Sequence, residues 1–404
     1  MTLIYKILVP AILAFGLTGC NILPVRSEIA DLELVKVVGI DKCEVHSDNN
    51  VTMTVASIKQ QTGVSGGGGG EGQSKSIVLT GEALTLTDAM RKLQTHYNKI
   101  IFLGHADYFL LGEEAIKDDF YKYYDFLERT YEIRLNAKVF ITKGCSANDI
   151  LSQGSKGELP ISERLDNLSN EGFINSHLIK EMSVIQLEKH LDNPYSAVAI
   201  PALSKADNEF DLIEQEKKLQ TDVEVYGYAI VKDFKLVGYI DWELANGYNF
   251  IKNQADYTVF NVTDPSGLYV ALIVENAKTK IKPKFYGDTL ESVDIEIKVK
   301  SSINEQQSRL DITKEQITEE MAAKQSEIIK QEITNVIKTA QEMNADFLGI
   351  SDVVKRKNPL KWNSIKDNWD EIFPLIKFNV EVDSLIYHTF DVRYPSGYKE
   401  EKQN

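Results

Sequence analysis

Two stretches of near-strict alternation, residues 268–283 (LYVALIVENAKTKIKP) and 289–303 (ending VDIEIKVKSSI), constrain this chain more than any other feature. Apolar side chains at every second position put one face of each strand in a core, and the length of the runs predicts a pair of long antiparallel strands. A helical pattern follows directly over 312–343. Ile317, Met321, Ile328, Val336 and Met343, with Ile329, Ile333, Ile337 and Ala340, share one stripe while Glu and Lys cover the rest. A stripe of that length needs a broad apolar surface, and the two strands supply it; use of the stripe by a partner helix is the sharper alternative. A last strand, IKFNVEVDSLI, is expected before a polar tail at 395–404.

Upstream, strands and helices are mixed. Leu32–Asp41 and Val51–Ile58 read as a hairpin across the polar turn HSDNN, Ile77–Thr80 as a further strand, and Thr85–Tyr97 as a helix with Asp88 in its first turn. Residues 107–111 and 137–142 are short strands separated by an amphipathic helix over Glu113–Thr130, and residues 155–195 read as mostly helical. YGYAIVKDFKLVGYI, 226–240, is a hairpin turning near Lys232–Phe234, followed by a helix from Trp242 to about Phe250. This order predicts an α+β protein with largely antiparallel sheets, in three mixed α/β domains: 20–200, 201–267 and 268–394, the last carrying the long helix packed on a sheet. The charged stretch 205–220 marks a boundary or surface excursion. The segment 63–76 (GVSGGGGGEGQSKS) lacks the large apolar groups that would order it and reads as an exposed loop.

The first nineteen residues carry Lys6, no acid, and an apolar run from Ile7 to about Leu17, the pattern of a secretory signal. The run ends in Leu17-Thr18-Gly19-Cys20, a lipobox, so Cys20 is the expected lipidation site and new N-terminus. A membrane-spanning helix would need about 20 predominantly apolar residues, and Lys6, Pro10 and the polarity after Cys20 argue against one. Two acyl chains give stable anchoring where one is marginal. The expected location is therefore the extracytoplasmic face of a cell membrane.

The whole chain has 45 Lys and Arg against 60 Asp and Glu, a net charge of −15, and loss of residues 1–19 removes one cation and no acid. That field repels nucleic acid and anionic headgroups and excludes nucleic-acid binding as the main role. Beyond Cys20 the cysteines are Cys43 and Cys145. Each closes a predicted strand, so a bridge requires those strand ends to meet; the plainer reading is two unpaired small hydrophobes.

No catalytic set assembles in the sequence. Gly63-Val64-Ser65-Gly66-Gly67 matches a nucleophile elbow in spacing, but no helix-forming run follows it as that geometry demands. The same glycines lack the Lys-Ser or Lys-Thr of a phosphate-binding loop. Histidines 46, 96, 105, 177, 190 and 388 show no metal-ligand spacing, so neither a metal nor a cofactor is expected. Glu113-Glu114 and Asp118-Asp119 fit the solvated face of a helix. His105, at the mouth of the apolar strand DYFLL, is the histidine singled out as a candidate partner contact, against the plainer role of satisfying a strand end.

Several segments together resemble the Ger(x)C family, the lipoprotein C subunits of spore germinant receptors. The matching stretches are the lipobox Leu17–Cys20, EIADLELVKVVGIDK (28–42), GHADYFLLGEEA (104–115), YEIRLNAKVFITKGCSANDIL (131–151), YGYAIVKDFKLVGYI (226–240) and AQEMNADFLGISDVVKRKNPLKWNSIKDNWDEIFP (340–374). After the lipid site this chain continues Cys20-Asn21-Ile22-Leu23-Pro24 where the family has Cys-Trp-Asp or Cys-Trp-Asn, with a longer spacer before Glu28. The resemblance implies three mixed α/β domains and a non-enzymatic subunit in the spore inner membrane. It would work there with integral-membrane A and B subunits in a receptor that responds to small nutrients and starts germination. A lipid-anchored solute-binding protein is the alternative, and it predicts a cleft between two similar lobes.

Overall fold

The computed structural model describes residues 31–43, 50–59, 75–154, 159–169, 179–205, 223–312 and 314–387. Cys20, the glycine segment with Ser65, most of the charged stretch 205–220, residues 170–178 and the polar tail lie outside them. In chain order the elements are β1 (Leu32–Lys42), β2 (Val51–Lys59), β3 (Lys75–Ala83), α1 (Leu86–Thr95), β4 (Ile100–Phe102), a 3-10 turn (Leu103–His105), β5 (Tyr108–Leu111), α2 (Glu113–Arg129), β6 (Lys138–Lys143), α3 (Ala147–Gly154), α4 (Ile161–Ser169), α5 (Val184–Leu191), β7 (Val198–Ser204), β8 (Glu224–Lys232), β9 (Lys235–Asp241), α6 (Trp242–Ile251), β10 (Val259–Thr263), β11 (Tyr269–Tyr286), β12 (Thr289–Gln306), α7 (Glu315–Glu342), α8 (Ile350–Lys357), α9 (Pro359–Ile365), α10 (Trp369–Ile372) and β13 (Lys377–Tyr387). The architecture is α+β, as expected.

Two mixed sheets organise these elements. The first has the order β3-β2-β1-β5-β6-β7-β8-β9, with β4 also beside β1; the second is β10-β11-β12-β13. In the first, antiparallel pairs at both edges flank a parallel centre, β1 with β5, β5 with β6 and β6 with β7. These central strands are covered on both faces, the setting in which parallel pairing is found. Tyr108–Leu111 is buried throughout, with α1, α2 and α5 packed on one face and α3 and α4 on the other. In the second sheet the long β11–β12 hairpin is antiparallel and β13 joins β12 in parallel.

Hydrogen bonding divides the stretch 201–267. β8 and β9 extend the first sheet from β7, and β10 opens the second, because the 226–240 hairpin completes the ladder left open along β7. One apolar core then runs through both layers: Ala199, Tyr228, Ile230 and Ile240 of the first sheet cluster with Leu272, Ile295, Ile333 and Trp369 of the C-terminal part.

The long helix packs on the second sheet as its stripe predicts, burying Met321, Ile329, Ile333, Val336, Ile337 and Ala340. Ile328 does not join them and is 37 % exposed. Ile329 sits near the centre of the buried stripe, and one residue is about 100° of helix rotation, so Ile328 falls beyond the edge of that stripe. Gln325 takes the place on the buried face, its side-chain amide donating to Ser301 Oγ at 2.8 Å. The other side of α7 meets α6 so closely that a Cβ on Gly247 would collide with the Glu332 carbonyl. No helix among the described residues is long and apolar enough to cross a membrane.

Candidate functional site

The site is built at the carboxyl end of β1, where an apolar strand ends on a charged residue. Asp41 is buried, and its carboxylate accepts the backbone N–H of Ala147 at 2.8 Å and of Asn148 at 2.9 Å, two donors at the start of α3. A helix N-terminus presents unpaired N–H groups and a positive dipole end, so an acid capping it from a neighbouring strand locks strand and helix together. Burial pushes the Asp41 carboxyl up to about 6; the two backbone donors act against that rise. Gly112, which caps α2, must be glycine, since a Cβ there would strike Asp41 Oδ1.

Beside this joint opens a cleft of about 1000 Å³. Its walls are the turn end of the β1–β2 hairpin (Lys42, Cys43, Asn50), the turn into α1 (Leu84–Thr87) and one face of α2 (Asp118 to Thr130). Asp118 holds the floor, with Lys42 and Lys122 each 2.9 Å away; hydrogen bonds from Lys122 and then Lys42 hold its carboxyl below the usual range. Arg129 pairs with Asp125 at 2.7 Å. Leu84 and Tyr121 leave apolar surface at the mouth, 60 % and 49 % exposed. The cleft thus offers paired charges of both signs on an apolar rim, a surface suited to binding a polar solute or a protein loop.

The wall formed by α2 is braced from behind. The helix is kinked at Asp119, and the N–H of Phe120 donates to the Phe234 carbonyl in the β8–β9 turn at 3.0 Å. Asp233 and Phe234 both have positive φ, 49° and 57°, the backbone of a tight two-residue hairpin turn. Phe234 in turn packs on Phe120, Tyr121 and Tyr124.

Of the residues singled out from the sequence, none lines this cleft except Asp118 and Cys43. His105 stands at the amino end of β5, so the parallel strands place it and the cleft at opposite ends of the sheet. There its Nδ1 is 3.1 Å from Arg134 Nη2 and its ring meets the edge of Phe102. Glu113 is drawn into structure, its carboxylate accepting the Gly144 N–H at 2.6 Å, whereas Glu114 only pairs with Lys117 on the surface. Cys43 and Cys145 are free thiols. Cys43 Sγ lies 3.2 Å from Thr52 Oγ1, and burial pushes the Cys145 thiol up. Among the described residues no cluster of three or more His, Cys, Asp or Glu could hold a metal ion.

A second buried aspartate repeats the joint of Asp41 in the C-terminal layer. Asp346 accepts the N–H groups of Ile350 at 2.9 Å and Ser351 at 2.7 Å, capping α8. Its carbonyl accepts Ala197 N–H from the first layer at 3.2 Å, and half-buried Lys252 donates to the Leu348 carbonyl at 3.4 Å. The segment 340–374 is therefore where the two layers are tied, which gives a structural reason for its distinctive sequence. Asp41 escapes a reading of sequence because an acid after an apolar run looks like a turn, and the helix N-terminus it caps is brought to it by the fold; Asp346 caps the helix that starts four residues after it.

Comparison with known proteins agrees with this architecture. Residues 25–205 match the model described as spore germination protein N-terminal domain, and residues 226–389 match spore germination B3/GerAC like, C-terminal. Among proteins of Bacillus subtilis strain 168, YfkR, named for spore germination, is 26 % identical over 93 % of this chain and 94 % of its own. Spore germination protein KC is 22 % identical over 90 % of this chain and 91 % of its own. The crystal structure of the GerBC protein superposes with a TM-score of 0.54 at 19 % identity, covering 86 % of this chain and 97 % of that one, and shares its fold. With both halves matched in order over most of its length, the chain belongs to the Ger(x)C family of spore germination proteins.

Proposed function

We propose that this chain is the lipid-anchored C subunit of a spore nutrient-germinant receptor, held by Cys20 on the extracytoplasmic face of the spore inner membrane and acting by assembly with integral-membrane A and B subunits. The observation that carries the reading is the match to spore germination proteins along both halves of a chain whose residues 17–20 form a lipobox. An anchor confines the body to two dimensions beside its partners, so modest contacts suffice for assembly. Its role is binding rather than chemistry: the charged residues of the cleft are engaged with one another in ion pairs.

The fold speaks for assembly over a solute-binding role. A hinged solute-binding protein closes two similar lobes on its ligand, whereas the two sheets here, among the described residues, have nine and four strands, and the cleft beside Asp41 lies within the first layer. The test is to titrate the body from residue 21 onward with candidate nutrients and, in parallel, with detergent-solubilised A and B subunits. Partner binding without nutrient binding is expected; saturable nutrient binding by the isolated body would contradict the assembly role.

A further inference from the structure

β1 gives the body a direction. Its first residue, Leu32, lies beside Ile100 of β4, and its last residues border the cleft. Eleven residues at about 3.3 Å each separate the two ends by roughly 35 Å. The chain enters the described structure at Asp31, eleven residues after Cys20. At about 3.3–3.6 Å per residue that span reaches at most roughly 40 Å when fully extended. Bringing the cleft end to the bilayer would require the tether to run taut along the whole strand, at a large entropic cost; presenting the β1 start requires nothing.

The end where the tether enters carries apolar side chains that nothing in the described structure covers. Tyr131 is 92 % exposed, Leu135 53 % and Ile100 47 %. They come from two neighbouring segments: Glu132 accepts the Leu103 N–H at 3.4 Å, and Arg134 meets His105 at 3.1 Å, which fixes the 130–137 loop beside the 100–105 segment. Charge at this end is balanced. Lys36 and Arg134 lie 2.7 and 3.8 Å from Asp107, and Lys99 lies 4.0 Å from Glu33, on a chain whose net charge is −15. An exposed tyrosine beside exposed aliphatic side chains, on a surface whose charges are paired, is the chemistry of a membrane interface, where the ring sits at headgroup level with its hydroxyl in water.

Building on the Cys20 anchor, we infer that Tyr131, Leu135 and Ile100 form a lipid-contact surface, seating this end of the first sheet on the headgroup layer and pointing the cleft about one strand length away, into the aqueous phase. The lipid supplies the affinity and the patch supplies the orientation. His105 and Arg134 lie at that rim.

Hydroxyl-radical footprinting of the full acylated chain tests this, on phosphatidylcholine–phosphatidylglycerol vesicles and against the Cys20→Ala chain mixed with the same vesicles. Oxidation of Tyr131 and Leu135 should fall several-fold in the vesicle-bound chain while Tyr121 and Leu84, at the cleft, keep their solution rates. Tyr131→Asp combined with Leu135→Asp should leave vesicle flotation intact and return Ile100 to its solution rate. An acylated, floating chain with Tyr131 still fully reactive, or with Tyr121 and Leu84 protected instead, would overturn the orientation alone. Protection appearing only after A and B subunits are added would overturn it in favour of a protein surface. A chain whose Cys20 peptide carries no acyl mass would overturn the anchor reading itself, and is distinguished by mass spectrometry.

Discussion

Single buried carboxyls set where this fold is strong and how it responds to pH. Asp41→Ala would leave the Ala147 and Asn148 N–H groups without an acceptor, a loss of about 1–3 kcal/mol in urea unfolding at neutral pH. Asp41→Asn, which keeps an acceptor oxygen, should cost less. Glu332 is the clearer pH probe: burial against α6 pushes its carboxyl from 4.5 up to about 7, with an Asn246 hydrogen bond opposing. An acid raised in the fold favours its neutral form there, so its contribution to stability is greatest below 4.5 and is lost as pH rises from 4.5 to 7. Glu332→Gln should therefore be more stable than the parent at pH 8, by about 1–3 kcal/mol given its partial exposure, and the advantage should vanish near pH 4. Equal stabilities at pH 8 would show that Glu332 carries no such penalty. Asp41 and Asp346, both raised to about 6, add to the same trend in the parent.

At the scale of elements, the contact between α6 and α7 is the tightest test of packing. Gly247→Ala places a methyl group against the Glu332 backbone, which cannot move aside as a side chain tip could. The helices must separate, at about 1–3 kcal/mol or more, seen as a fall in melting temperature with unchanged circular dichroism at low temperature. Elements with long, regular patterns were legible in the sequence: the β1–β2 hairpin, α2, β11, β12, α7 and β13 lie within a few residues of where periodicity puts them. The misses have physical causes. β7 contains Pro201, which reads as a break, yet β6 joins β7 only from Ala202 onward, so no ladder on that side needs the missing N–H. β4 is three residues long, too short for any alternation to register. The cleft was not legible because its walls come from residues 42–43, 50–51, 84–87 and 118–130, brought together by the pairing of β1 with β2 and β5 and of β2 with β3.

For the whole molecule, the shared core predicts that the two layers unfold together. Trp362 and Trp369 are buried in the C-terminal layer, while Tyr228, Ile230 and Ile240 of the first sheet belong to the same apolar cluster. Urea transitions followed by tryptophan fluorescence and by far-ultraviolet circular dichroism should coincide; two separated midpoints would mean that the layers are independent. The proposed role is tested most directly at Cys20. Spores carrying Cys20→Ala, with the altered chain present at parent levels and folded by limited proteolysis, should respond poorly to nutrient. Parent-like germination by such spores, with the unacylated body released from the membrane fraction, would contradict it.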